Sequence, residues 1–119
     1  MAGPVITTLL SPNPASGSAT VVVGTEDTLA SGTASGTYVL TLETINMADG
    51  DIVEVRGYDK PGGSSTSRLS FYYSLANAQS TPGHISPPIL TEGYVAFSIK
   101  QTSGTARTFN WSVLNLNGV

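Results

Sequence analysis

Few residues in this chain have the types and spacing that could do chemistry. His84 is the only histidine, and it sits in the proline-flanked stretch TPGHISPP. A serine activated by an imidazole is held on a strained elbow of the G-x-S-x-G kind, and neither GTASG (32–36) nor GGSSTS (62–67) has that spacing. Asp49 and Asp51 flank Gly50 as in the start of a calcium loop, but the third acidic ligand and the distal glutamate are missing. Asp and Gly ahead of a strand are ordinary turn chemistry. Glu26 and Asp27 add an acidic pair, and Glu43, Glu54 and Glu92 are the acids from which a sugar hydrolase would draw its two carboxyl groups. No spacing selects a pair among them. With no cysteine, the chain lacks thiolate metal ligands, a thiol nucleophile and any disulfide framework. The expectation is a protein that is not an enzyme and needs neither cofactor nor metal.

A second group of residues suits contact rather than catalysis. In DIVEVRGYDK, Val53 and Val55 alternate with Glu54, Arg56 and Tyr58; in RLSFYYSL, Arg68 and Tyr72 alternate with Leu69, Phe71, Tyr73 and Leu75. Tyr58, Tyr72 and Tyr94 fall out of phase with the aliphatic side, whereas Phe71, Tyr73, Phe97, Phe109 and Trp111 fall in phase with it and read as core. Tyr and Arg on an outer sheet face suit a protein contact or a sugar platform. Cross-strand pairing among Glu54, Arg56 and Arg68 accounts for them equally well. Lys100 and Arg107 flank the turn QTSGTA, where they could meet acidic loops of a partner or, more simply, Glu92 or a neighbouring strand. Exposed pairs of that kind contribute only about 0–1 kcal/mol.

The elements that must position these residues follow from composition and periodicity. Of 119 residues only 13 are charged, with a net charge of −3, and Ser, Thr and Gly take the surface positions that charges usually fill. Five basic residues cannot form the stripe that a nucleic-acid partner requires. No stretch reaches the length of a membrane-spanning helix and no signal peptide opens the chain, so synthesis and folding are expected in a reducing cytosol. Apolar residues recur with period two and are punctuated by ADGD, PGG, PGHISPP and SGTA. That pattern predicts one all-β domain, an antiparallel β-sandwich of jelly-roll-like type, with seven or eight strands near 18–23, 26–30, 37–44, 51–58, 66–77, 85–90, 93–102 and 106–115. Residues 1–17 combine Pro4, Pro12 and Pro14 with Val5, Ile6, Leu9 and Leu10. They read as an extended arm whose apolar residues seek a partner surface, with the sandwich domain occupying 18–119.

Three stretches together resemble a known group: NMADGDIVEVR (46–56), GGSSTSRLSFYYSLANAQ (62–79) and KQTSGTARTFNWSVL (100–114). They are similar to small structural proteins of tailed bacteriophages of the head decoration, or cement, type. Asn46, Gly50, Asp51, Glu54, Arg56, Arg68, Gln79, Lys100, Gln101, Gly104, Arg107 and Trp111 carry the likeness, which spans roughly 36–115. The resemblance implies a homotrimer on the capsid exterior that clamps neighbouring copies of the major capsid protein. Such a protein is made in the host bacterial cytoplasm and has no dealings with nucleic acid or membrane. The expected contacts are Val5, Ile6, Leu9, Leu10, Glu54, Arg56, Tyr58, Arg68, Tyr72, Tyr94, Lys100 and Arg107. A sugar- or receptor-binding β-module of a phage tail or fibre is the alternative.

Overall fold

The period-two pattern becomes two facing antiparallel sheets in a computed structural model that describes residues 15–33, 35–61 and 66–116. Nine strands are present among them: β1 (Ala15–Thr20), β2 (Glu26–Gly32), β3 (Gly36–Glu43), β4 (Ile52–Asp59), β5 (Arg68–Ala76), β6 (Gly83–Ile85), β7 (Ile89–Thr91), β8 (Val95–Ser103) and β9 (Thr108–Asn115). The first sheet has the order β1-β9-β3-β6, with β7 also paired to β3. The second has the order β2-β8-β4-β5. All pairings are antiparallel, so every strand turns one row of side chains inward and one outward.

The inward rows make the core. Tyr38, Leu40 and Leu42 of β3 and Phe109 and Val113 of β9 meet Val53 and Val55 of β4 and Val95, Phe97 and Ile99 of β8. Val21, Met47 and Ile89 close the ends, and Phe71, Tyr73, Leu75 and Trp111 pack against the rim. Fully burying a side chain of this size stabilises the fold by about 1.5–3 kcal/mol relative to leaving it exposed. The conformational entropy of ordering the chain offsets most of that sum. Gly57 sets one detail of the packing. The Phe71 ring lies so close over it that an added Cβ would come within 2.2 Å of the ring and 2.6 Å of Ile89 Cδ1.

Three local expectations change. The strand expected over 85–90 divides into β6 and β7, because Pro87 and Pro88 have no N–H to give to a ladder. Ser86 holds the two pieces against β3: its N–H donates to Leu40 O at 2.8 Å, and its hydroxyl accepts from Leu40 N–H at 2.9 Å. The strand count is therefore nine rather than seven or eight. Leu69 leaves the inward row because the β4–β5 register shifts between Gly57 and Tyr58, which sets Leu69 opposite the outward Tyr58 and leaves it 53% exposed. At the N-terminus, β1 already begins at Ala15, so residues 15–17 belong to the sheet. The rest of the expected arm, including Val5, Ile6, Leu9 and Leu10, lies outside the described residues.

Candidate functional site

The register of the second sheet explains why charged residues stand on its outer face. Glu26, Lys100, Glu54 and Ser74 line up across β2, β8, β4 and β5, and Thr28, Ser98, Arg56 and Tyr72 form the next row. Two acids and two bases therefore interleave, and the face is charge-balanced. Arg56 Nη2 donates to Glu54 Oε1 at 2.8 Å, and the Tyr72 hydroxyl donates to Glu54 Oε2 at 2.9 Å. Tyr58 donates to Glu26 Oε2 at 2.7 Å, and Ser98 donates to the same oxygen. The Arg56 guanidinium lies 4.9 Å from the centre of the Tyr72 ring, in cation–π contact. Tyr72 itself remains 48% exposed.

The electrostatics agree with this wiring. Hydrogen bonds from Ser98 and Tyr58 hold the Glu26 carboxyl below its ordinary value. Partial burial pushes Glu54 up, but the bonds from Tyr72 and Arg56 and the nearby positive charges outweigh it and leave Glu54 lowered. Arg56 loses solvent on one side, which works against its charge, yet Glu54 and Glu26 more than restore it and its pKa is raised. Hydrogen bonding to Glu54 raises the Tyr72 phenol. One polar atom is left over: Arg56 Nη1 is enclosed and has no hydrogen-bond partner.

Of the residues singled out in the sequence, Glu54, Arg56, Tyr58 and Tyr72 come together here, with Lys100 beside them. Arg68 stands across from Asp59 at the other end of β5, outside the cluster. Tyr94 sits between β7 and β8, where Lys60 Nζ lies 4.7 Å over its ring. Glu26 and Ser98 are members that the sequence analysis did not connect. They reach Tyr58 only through the β2–β8–β4 pairing, which no local pattern encodes.

Arg107 has a different position. Asp51, 1% exposed at the start of β4, accepts hydrogen bonds from Arg107 Nε at 2.7 Å, Ala48 N–H at 2.9 Å and Thr105 N–H at 3.1 Å. Buried Gln101 completes the turn after β8. Its Nε2 donates to the carbonyls of Ser103 and Thr105 at 2.9 and 2.7 Å, and its Oε1 accepts from Arg107 N–H at 3.2 Å. Gly104 has φ +92°, and a Cβ there would fall 1.9 Å from Asp51 Oδ1. Asn77, at φ 67°, donates from its N–H to Asp51 O at 2.8 Å and accepts from Gly50 N–H at 2.9 Å. Residues from all three stretches that carried the family likeness thus converge on one polar clasp at one pole of the sandwich. They hold turns in place and present little to a ligand.

The outer face of the first sheet is polar and flat by contrast. Ser16, Ser112, Thr41 and Ile85 form one row, and Ser18, Asn110, Glu43 and Gly83 the next. Asn110 Nδ2 donates to Glu43 Oε1 at 3.0 Å. A shallow groove of about 480 Å³ runs across these rows beside Pro82, His84 and Ile85. His84 Nε2 is enclosed there without a hydrogen-bond partner. Among the described residues no three His, Asp or Glu side chains gather to hold a metal ion, and no helix is long and apolar enough to cross a membrane.

Compared with known protein families, with curated proteins and with solved structures, the chain matches none.

Proposed function

We propose that this chain is a structural virion protein, a decoration or cement protein that binds the outside of a tailed-phage head and stabilises contacts between copies of the major capsid protein. The observation that carries the reading is the outer face of the β2-β8-β4-β5 sheet. Glu54 and Arg56 are ion-paired within the sheet and Glu26 accepts from the Tyr58 and Ser98 hydroxyls, so these three charges keep their partners when the face is covered. Tyr72 and Arg56, stacked across β5 and β4 towards one edge of that face, are the residue types that dominate protein interfaces. The strand order adds support. The chain crosses between the sheets at every connection except β4–β5 and β6–β7 to give β1-β9-β3-β6/β7 against β2-β8-β4-β5, an arrangement that fits a jelly roll if β6 and β7 count as one interrupted strand. Jelly rolls build viral shells and also lectins, so this support is analogy at the level of fold. The expected assembly is a homotrimer seated on the capsid exterior, with the apolar residues of the 1–17 arm as a second grip.

A sugar- or receptor-binding module of a tail or fibre is the second reading. It is favoured by one specific feature, the half-exposed Tyr72 ring with Glu54 at its hydroxyl. The experiment that separates the two is sedimentation of the purified chain with expanded capsids, run beside a glycan panel, for wild type and for Tyr72→Ala with Arg56→Ala. Capsid binding that the double substitution abolishes while the fold is retained supports decoration. Undiminished capsid binding by the double variant overturns the assignment of this face, and glycan binding lost with Tyr72→Ala favours the second reading.

A further inference from the structure

A strand stays in its sheet when the burial and bonding it gains offset the conformational entropy it loses. The edge strands of this fold differ widely in what they bury. β2 sets Leu29 and Ala30 against the core, and its Glu26 accepts from Tyr58 and Ser98. β5 contributes Phe71, Tyr73 and Leu75, and the broken β6–β7 edge contributes Ile89. β1, with the sequence ASGSAT, has no large apolar side chain, and among the described residues only its Ala19 packs against the core.

The inward row of β1, Ala15, Gly17 and Ala19, stands beside Val113, Trp111 and Phe109 of β9. Its outward row is tied by side chains in solvent: Ser18 donates to Asn110 Oδ1, and the Thr20 and Thr108 hydroxyls share a bond at 2.8 Å. Among the described residues β1 pairs with no strand but β9. The chain changes character at the next residue. Val21 is 2% exposed, and its N–H donates to Arg107 O at 3.1 Å. Gly24, at φ +92°, donates from its N–H to Gln101 O at 2.7 Å. The connection into β2 is thus fastened to β8 and to the turn after it, whereas the strand before it is not.

We propose that β1 is a hinged flap, which pivots at the Thr20–Val21 junction and leaves β9 and returns while both sheets otherwise stay folded. Little buried apolar contact and solvent-exposed hydrogen bonds place a segment at the low-stability end of a structure. The shut flap lays Gly17 on the Trp111 indole, where an added Cβ would stand 3.3 Å from the ring. The open flap uncovers that ring and one row of β9 N–H and C=O groups, with Val21 as the pin. Opening also adds the six residues of β1, about 20 Å of extended chain, to the segment that precedes them. A grip carried by Val5, Ile6, Leu9 and Leu10 gains that much reach. The opening itself does not rest on the role proposed above.

The position of β9 between β1 and β3 makes the test direct. Over Asn110–Val113, which is paired on both sides, successive N–H groups point alternately to one neighbour and to the other. Amide hydrogen exchange of the wild-type chain, followed residue by residue by NMR, should therefore show two classes in alternation. The amides directed at β1 should exchange at least about a hundredfold faster than those directed at β3, which wait for global unfolding. Ser18→Cys with Asn110→Cys places two thiols on directly opposed outward residues of a chain that has no other cysteine. Oxidation should shut the flap and bring the two classes together, and reduction should separate them again. Equal protection of the two classes in the wild type would overturn the proposal before any variant is made, and so would a gap that the disulfide leaves unchanged.

Discussion

Replacing Asp51 by Ala tests how much of this fold depends on the polar clasp. The carboxylate accepts two backbone N–H groups and the Arg107 guanidinium, and its side chain is 1% exposed. A hydrogen bond to a charged group contributes about 1.5–3 kcal/mol, and a buried donor left unpaired costs about 1–3 kcal/mol. Arg107 is 28% exposed and can turn to water, so its share is discounted to the surface range of at most about 1 kcal/mol. The two amides at the low end of their range, with that remainder, give a loss of about 3–4 kcal/mol. That is a large part of the 5–15 kcal/mol available to a domain. Urea unfolding followed by fluorescence should show the midpoint falling by about 2 M with the slope unchanged, for a slope of about 1.5–2 kcal/mol/M. Arg107→Ala should lose at most about 1 kcal/mol, because Asp51 keeps both amide donors. A loss below about 1 kcal/mol for Asp51→Ala, or equal losses for the two variants, would refute the view that the carboxylate organises the pole.

Three further outcomes are expected. Gly57→Ala should destabilise by about 1–3 kcal/mol in the same unfolding assay, since its Cβ would displace the Phe71 ring and Ile89 together; a neutral result would mean that the ring swings aside without cost. Trp111→Ala should cost about 3 kcal/mol, near the low end for a large aromatic because the ring is only partly buried against the core and over Gly17; a loss below about 1 kcal/mol would show that the ring contributes no packing. The lowered carboxyls of Asp51, Glu54 and Glu26 fix the direction of the acid response. Their stabilisation is fully present above the unfolded values near 4 and is lost as pH falls through the lower folded values, because the unfolded chain binds protons first. Melting temperature should thus be flat between about pH 7 and 5 and drop below about pH 4; a fall already under way at pH 6 would point to a different group.

Strands with clean alternation were legible in the sequence because one face of each is buried, and burial writes itself as period two. Tyr38–Leu40–Leu42 and Val53–Val55 are examples. What alternation cannot report is register. The slip that turns Leu69 outward depends on Gly57 and Phe71 sharing space across two strands. The break between β6 and β7 has a local sign, Pro87–Pro88, which belongs to the punctuation PGHISPP and yet falls inside the strand expected over 85–90. Asp51 was visible only as part of a turn, and Arg107 only as an exposed cation, because their partnership spans 56 positions. The pairing of Glu54 with Arg56 was among the readings open from sequence, since those residues are two apart on one face. Glu26 joined them only through tertiary pairing.

The neighbour relation of β1 and β9 has a consequence for how the chain acquires its structure. Ser18 and Asn110 bond side chain to side chain across 92 positions, and β9 is also the strand that joins β1 to β3. During synthesis β1 therefore has no place in its sheet until Asn115 has been made, and the first sheet closes only after the ribosome has released that segment. Sheets that wait on distant partners fold slowly, in milliseconds to seconds. The β4–β5 hairpin does not have to wait, because its strands are consecutive in the chain and pair directly within the second sheet. That hairpin is the natural nucleus, and weakening it with Leu75→Ala, opposite Val53, should lengthen the refolding time more than it shortens the lifetime of the folded state.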